Sequence, residues 1–504
     1  MRISASLLYN YIQCKHRVWR DLYGPQDEKD PDPNPFVQLL WDRGILHENN
    51  VIKTVGTFTN LSEGTSEQRS AKTLEEMKNG TDLIYQGVLI YENLLGIPDL
   101  LKRNIDGTYT PIDIKSGRGF EDLDEVEESE GKYKKHYAVQ LCHYVEILKN
   151  LGFSNSNQAK IIDARNKEVV YDLQKEIGVR NKNTWWQYYY EIRNEVELLL
   201  NNKIENKPAI SGVCKLCPWY KSCKKWVNET RDPTIIFNVG RSKRDTLSED
   251  LGIKSVEDVT KIDIKKVLEE KEQNKGFLPG IGEKTIKKLV QRAFILNNNS
   301  VPIIYKHFPF PNKSYELYLD IEDDPTQELV YLHGVYERSP KGERFVYFVA
   351  KDSTPNAERQ AWVDFWQYIK SLPQDDFTVY YYSQHEKTMY KKMRELYPDV
   401  VREEELENFF DKENAVDLYT HVIYPYTDWP LGSYSVKDIA QYLGFKWRDE
   451  TPSGALSIQW YNEYLKDKDP DKLKRILEYN EDDCRATVVI KDYLVNRQGN
   501  SANE

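Results

Sequence analysis

Apolar residues along this chain recur in two periods, and each change of period marks a change of element. Alternating positions in YELYLDIE, ELVYLHGVY, RFVYFVA and FTVYYYS, which follow one another from about residue 312, predict strands. WWQYYYEIRNEVELLL, AVQLCHYVEIL and DPDKLKRILEYNEDDCRATVVIKDYLV read as helices instead. LLGIPDLLKRNIDGTYTPIDIKSG reads as two strands joined at Asp106-Gly107, a pair suited to the left-handed backbone of a tight hairpin.

These elements group into three regions. Residues 1–229 alternate helices and strands and end in a run of cysteines. Residues 230–305 hold short helical pieces rich in Lys and Glu, interrupted by the glycine turn LPGIGEKT. Residues 312–495 place strands first and helices later. The pattern predicts an α/β multidomain protein with a small helical connector between two α/β domains. The polar tail from Asn496 reads as disordered.

Composition narrows the function. Of 504 residues, 39% are hydrophobic and 30% charged, as in soluble globular domains, and no apolar run nears the ~18 residues of a membrane span. We expect a cytoplasmic protein with no membrane partner. A net charge of -11 argues against a blanket cationic surface, so any nucleic-acid contact must come from local basic patches. Six cysteines in so long a chain suit metal ligands or core positions better than a disulfide framework.

Candidate chemistry concentrates in four places. Asp113 and Lys115 are two apart on one predicted strand and share a face, which Asp99, on the strand before, can join across the hairpin. Two carboxylates suit Mg²⁺ or Mn²⁺, and an ammonium beside them can orient the attacking water. His47, on a predicted helix, can add a ligand, while Gln140 and Tyr144 share one helix face and can touch a phosphate or the lysine. Cys14 stands alone, and Cys214, Cys217 and Cys223 form C-x2-C-x5-C. Four thiolates suit a 4Fe-4S cluster or, alternatively, tetrahedral zinc. Cys142 and Cys484 lie in helical patterns and read as buried small residues.

In the connector, Gly280 and Gly282 make a tight turn that opens a helix bearing Lys284, Lys287 and Lys288, an arrangement able to offer a phosphate backbone amides and positive charge. In the last region Asp320 and Glu322 face one way from a strand, and Tyr479 and Asp483 share one face of the final helix. Such carboxylates can bridge two divalent ions while the tyrosine positions water. Glu386 is the best candidate for a further acid, with Asp417 in reserve.

Residues 1–229 resemble the PD-(D/E)XK nuclease superfamily, in its RecB-like branch with the CRISPR-associated RecB-family nucleases. Asp99, Asp113-x-Lys115, His47 and Gln140-x-x-x-Tyr144 stand where that family keeps its metal ligands and catalytic residues. The split cysteines resemble the iron-sulfur clasp of AddB-type enzymes, although Lys15 follows Cys14 where relatives often have Pro. LPGIGEKTIKKLVQRA is similar to a helix-hairpin-helix element, and residues 312–495 resemble the RNase H-like DEDD exonucleases whose last motif is Tyr-x-x-x-Asp.

Together these resemblances imply a restriction-endonuclease-like domain fused through a helix-hairpin-helix connector to an RNase H-like domain. They imply metal-dependent phosphodiester hydrolysis on DNA, at single strands or ends, in repair, recombination or defence. No Walker A loop is found, so unwinding would fall to a separate helicase. A nucleic-acid-binding scaffold with an inactive site and an RNA-processing exonuclease are the alternatives.

Overall fold

The structure, a computed structural model, describes residues 1–31, 34–121, 132–178, 182–204, 206–298 and 300–501. The chain divides into two compact units, residues 1–208 with 212–223 and residues 209–211 with 224–504.

The first unit is built on a six-stranded sheet, in the order Thr59–Asn60, Leu83–Tyr85, Leu100–Arg103, Tyr109–Ile114, Gln158–Ile162, Glu168–Asp172. Its centre is the expected hairpin, with Leu100 opposite Ile112 and Arg103 opposite Tyr109, and Gly107 taking a φ of 83° in the turn. Asp99 and Lys115 fall just outside the strands, at the start of Leu100–Arg103 and past the end of Tyr109–Ile114. Asp113 lies within its strand, as expected.

The helix Lys135–Asn150 is buried from Tyr137 to Leu148 except at Gln140, which is half-buried. Helix Trp185–Leu200 begins in a reciprocal cap between Thr184 and Gln187. Helix Pro35–Ile52 carries His47 and starts at Asn34, whose side chain accepts from the Phe36 amide.

In the second unit a five-stranded sheet runs in the order Gly342–Val349, Leu329–Ser339, Tyr315–Asp324, Phe377–Tyr381, Ala415–Asp417. The first three strands form an antiparallel meander, and the last two join in parallel. Alternation divides the strand Tyr315–Asp324 cleanly. Leu317, Leu319 and Ile321 enter a core with Trp362 and Phe365 from helix Pro355–Ser371. Asp320 and Glu322 project to the other face, where the terminal helix Pro470–Ser501 lies. That helix runs on past Asn496, where the sequence reads as disordered, to Ser501; residues 502–504 of that tail lie outside the described residues.

The connector helices Arg241–Leu251, Val256–Thr260, Ile264–Gln273 and Glu283–Asn297 share a small core of Leu247, Val256, Val267, Ile286 and Leu289. They fold with the second unit, and strand Ile303–Ile304 pairs with Thr427–Asp428. Among the described residues no helix is long and apolar enough to cross a membrane.

Candidate active sites

The hairpin of the first unit brings its expected residues together. Lys115 Nζ lies 2.8 Å from Asp113 Oδ2, and Asp99 Oδ2 accepts from the Ile114 amide at 2.7 Å. Burial, then the nearby charge of Asp113, holds the Asp99 carboxyl well above its usual range. Burial opposes the charge on Lys115, but Asp113 and Asp99 outweigh it and keep the ammonium above its ordinary value.

Gln140 donates to the Tyr144 hydroxyl at 2.9 Å, and that hydroxyl reaches Ile97 O at 3.3 Å. The two residues expected to meet phosphate are therefore tied to each other and to the floor of the site. Buried His47 Nε2 and Gln140 Oε1 accept or donate no hydrogen bond, and Asp113 Oδ2 meets only the Lys115 ammonium. Buried acceptors left this way are costly unless something else meets them, and a hard divalent cation with its waters would.

One participant has no signal in the sequence. Glu48 Oε1 accepts from the Tyr85 hydroxyl and from Gln86 Nε2, both at 2.9 Å, and the same Gln86 nitrogen reaches Asp99 Oδ1 at 3.0 Å. Gln86 can make this bridge because its backbone sits at a φ of 55° in the left-handed region, beside Gly87.

The thiols occupy four short segments of the first unit. Cys14 separates helices Ala5–Gln13 and Lys15–Tyr23; Cys214 lies in the turn Gly212–Leu216, Cys217 just after it, and Cys223 in helix Tyr220–Glu229. Burial raises the Cys223 thiol to about 11, and Cys217, Cys14 and Cys214 push in the same direction. Cys142 and Cys484 are fully buried elsewhere, as expected.

In the second unit, ligand oxygens of Asp320, Glu322 and Asp483 lie within 4.8 Å of one another, the only such set of three metal-ligating side chains among the described residues. Burial raises all three carboxyls, Glu322 to about 8, and the charge of Asp483 adds to the rise at Asp320 and Glu322. An acid cluster held out of water in this way binds protons tightly at neutral pH unless a cation replaces them. The residues present therefore fit a divalent metal ion.

Their surroundings fix the geometry. Asn480 Nδ2 donates to Asp320 Oδ2 at 2.6 Å, and Trp447 Nε1 donates to Asp483 Oδ1 at 2.7 Å. Gly334, opposite Asp320 on the neighbouring strand, leaves the space that Asn480 fills; a Cβ there would stand 1.6 Å from Asn480 Oδ1. Tyr479 is buried beside Asp483, and Lys437 Nζ donates to its hydroxyl at 2.6 Å.

The structure also separates the two candidates for the further acid. Asp417 accepts from the Ser383 and Thr420 amides at 3.0 and 2.9 Å and from Gln384 Nε2 at 2.8 Å, so it is spent on holding the turn after strand Phe377–Tyr381. Glu386 begins the next helix with Oε2 buried and unpartnered, and burial followed by Asp417, Asp323 and Asp483 raises its carboxyl.

The connector turn forms as expected, with Gly280 at a φ of 75° and Gly282 capping helix Glu283–Asn297. Leu278 N donates to Asp250 Oδ2 at 2.7 Å, and Lys271 Nζ holds the carbonyls of Phe277 and Leu278. Among the lysines expected to face nucleic acid, Lys287 pairs with Glu283 at 2.6 Å and Lys288 with buried Asp428 at 3.0 Å; Lys284 lies on the exposed side of the same helix.

No curated protein matches the chain. A family model of the RNase_H superfamily matches residues 317–495, the stretch that carries Asp320, Glu322, Glu386, Tyr479 and Asp483. This part of the chain is an RNase H-like domain, a fold of nuclease-type nucleic-acid hydrolases that use divalent metal ions.

Proposed function

We propose that the chain is a metal-dependent nuclease with two hydrolytic sites, acting on DNA at single strands or ends. The observation that carries the reading is the convergence of Asp320, Glu322 and Asp483 inside an RNase H-like domain, with Tyr479 beside Asp483. Mg²⁺ or Mn²⁺ held there would stabilise the attacking and leaving oxygens of a phosphodiester. Glu386 is the acid that completes the set, in the manner of a DEDD exonuclease, and Tyr479 orients the water.

The first unit acts as a RecB-like PD-(D/E)XK site. Asp99 and Asp113 hold the metal with His47, Lys115 serves the nucleophile, and Gln140 and Tyr144 brace the pocket. The buried polar atoms without partners at His47 and Gln140, with the pairing of Asp113 to Lys115, support this assignment. Cys14, Cys214, Cys217 and Cys223 hold a 4Fe-4S cluster. Tetrahedral zinc on the same four thiolates is the alternative.

The turn at Gly280 and Gly282 serves as a helix-hairpin-helix contact to the sugar-phosphate backbone, with Lys284 and Lys287 at its rim. Work on free ends suits repair, recombination or defence, with a separate helicase to open duplexes.

The test is cleavage of end-labelled single-stranded DNA with Mg²⁺ or Mn²⁺, set beside an RNA of the same sequence. Asp320→Asn and Lys115→Ala should each remove one component of the activity. If the wild-type protein binds these strands yet cuts neither polymer with either metal, it is a scaffold and the proposal fails.

A further inference from the structure

Lys437 has no counterpart among the residues singled out in the sequence, yet it faces the second site directly. It lies at the start of the short helix Val436–Tyr442, fixed by Ser435, whose side chain accepts from the Asp438 amide. Its Nζ donates to Tyr479 Oη at 2.6 Å, sits 4.6 Å from the centre of that ring and lies 3.9 Å from Asp483 Oδ2. Pro452 O, at 3.3 Å, accepts from the same nitrogen. Lys437 also offsets the charge of all three carboxylates, Asp320, Glu322 and Asp483.

A phenolic oxygen has one proton to give and room for two donors. Lys437 fills one acceptor position, and the Tyr479 proton is directed to the Asp483 carboxylate. One acceptor position then remains on Oη. Asp483 is held on its other side by Trp447, so neither partner of the phenol can turn away without breaking a buried hydrogen bond.

Resting on the reading of this site as a nuclease centre, we propose that Lys437 is a positioning residue for the attacking water. Its ammonium locks the Tyr479 hydroxyl so that the remaining lone pair accepts a hydrogen bond from that water and aims its oxygen at the phosphorus. Lys437 acts through Tyr479 and makes no contact with the substrate.

The test is a double-mutant cycle in the full-length protein, on a Lys115→Ala background that leaves only the second site to cut, with single-stranded oligonucleotide and Mn²⁺. Lys437→Met should lower kcat about a hundredfold, the scale of a misaligned reacting group, and leave KM within about twofold. Lys437→Arg, which keeps a donor to Oη, should recover most of that loss. Tyr479→Phe should lower kcat similarly, and adding Lys437→Met to it should cost nothing more.

Multiplied losses in the double variant, or a raised KM with unchanged kcat, overturn the inference; the second result would make Lys437 a plain phosphate anchor. Asp320→Asn separates the two levels of the argument. If it abolishes cutting while Lys437→Met does not change kcat, only the role of Lys437 falls. If cutting survives Asp320→Asn, the reading of the site falls and takes this inference with it. Retained Mn²⁺ binding by Lys437→Met, measured by titration, shows that a lost rate is not a lost metal site, and lost Mn²⁺ binding also overturns the inference.

Discussion

Gly334→Ala tests whether the second site is built by close packing around a single amide. The new methyl carbon would stand 1.6 Å from Asn480 Oδ1, 2.9 Å from Asn480 Cγ and 3.1 Å from Phe345 Cε2. Asn480 is fully buried on the terminal helix, so it cannot swing into solvent, and relief must come from breaking its bond to Asp320 or from parting helix and sheet. Overpacking of this kind costs about 1–3 kcal/mol, and losing a hydrogen bond to a charged group adds about 1.5–3 kcal/mol. Together these predict a loss of roughly 3–5 kcal/mol.

Two measurements check it. The apparent Tm of the second unit should fall by about 10 °C, taking about 2–4 °C per kcal/mol for a domain of this size. Affinity for Mn²⁺ should fall as well, because Asp320 loses the group that orients it. Asn480→Ala removes the obstacle, so Gly334→Ala should cost little when added to it. Gly454→Ala, where a Cβ meets nothing within 4 Å, is the control and should be neutral. A Gly334→Ala protein with unaltered melting and unaltered metal affinity would refute the packing argument.

Three further outcomes follow from the geometry. Lys115→Ala should leave the fold intact and suppress by at least a hundredfold the cleavage that survives Asp320→Asn, measured on end-labelled single strands. Cys14→Ser, although remote in sequence from the other thiols, should abolish the visible absorption of anaerobically purified protein as fully as Cys223→Ser does. Zinc in place of iron by metal analysis would count against the cluster. His333 is fully buried and its imidazole is lowered to about 3, so the unfolded chain binds its proton first as pH falls. Stability should therefore drop between about pH 6.5 and 4, by up to about 3 kcal/mol, and His333→Gln should flatten that part of a Tm-against-pH curve.

Local periodicity made the sheet strands and the terminal helix legible, because alternation and helical spacing survive in any context that buries one face. Tyr479 and Asp483 were readable for the same reason, being neighbours on one helical face. Asn480, one position away, gave no such signal, since its importance depends on a glycine on a distant strand. Lys437, Trp447 and Glu48 reach their sites from segments whose own patterns are unremarkable, and only tertiary folding gives them partners.

Lys288 shows the converse. Charge in the segment is visible in the sequence, but the buried Asp428 that takes Lys288 and Arg292 lies far along the chain. Asp417, the reserve candidate behind Glu386, is likewise committed by three hydrogen bonds that only the fold supplies.

The path of the backbone near residue 210 constrains how the protein can be dissected. Residues 209–211 belong with the second unit, whereas 212–223 return to the first. A fragment ending at 208 would lose Cys214, Cys217 and Cys223, three of its four thiols, and one ending at 223 would carry away a short piece of its neighbour. No single cut yields two whole halves, so each candidate site is best silenced by substitution within the intact polypeptide.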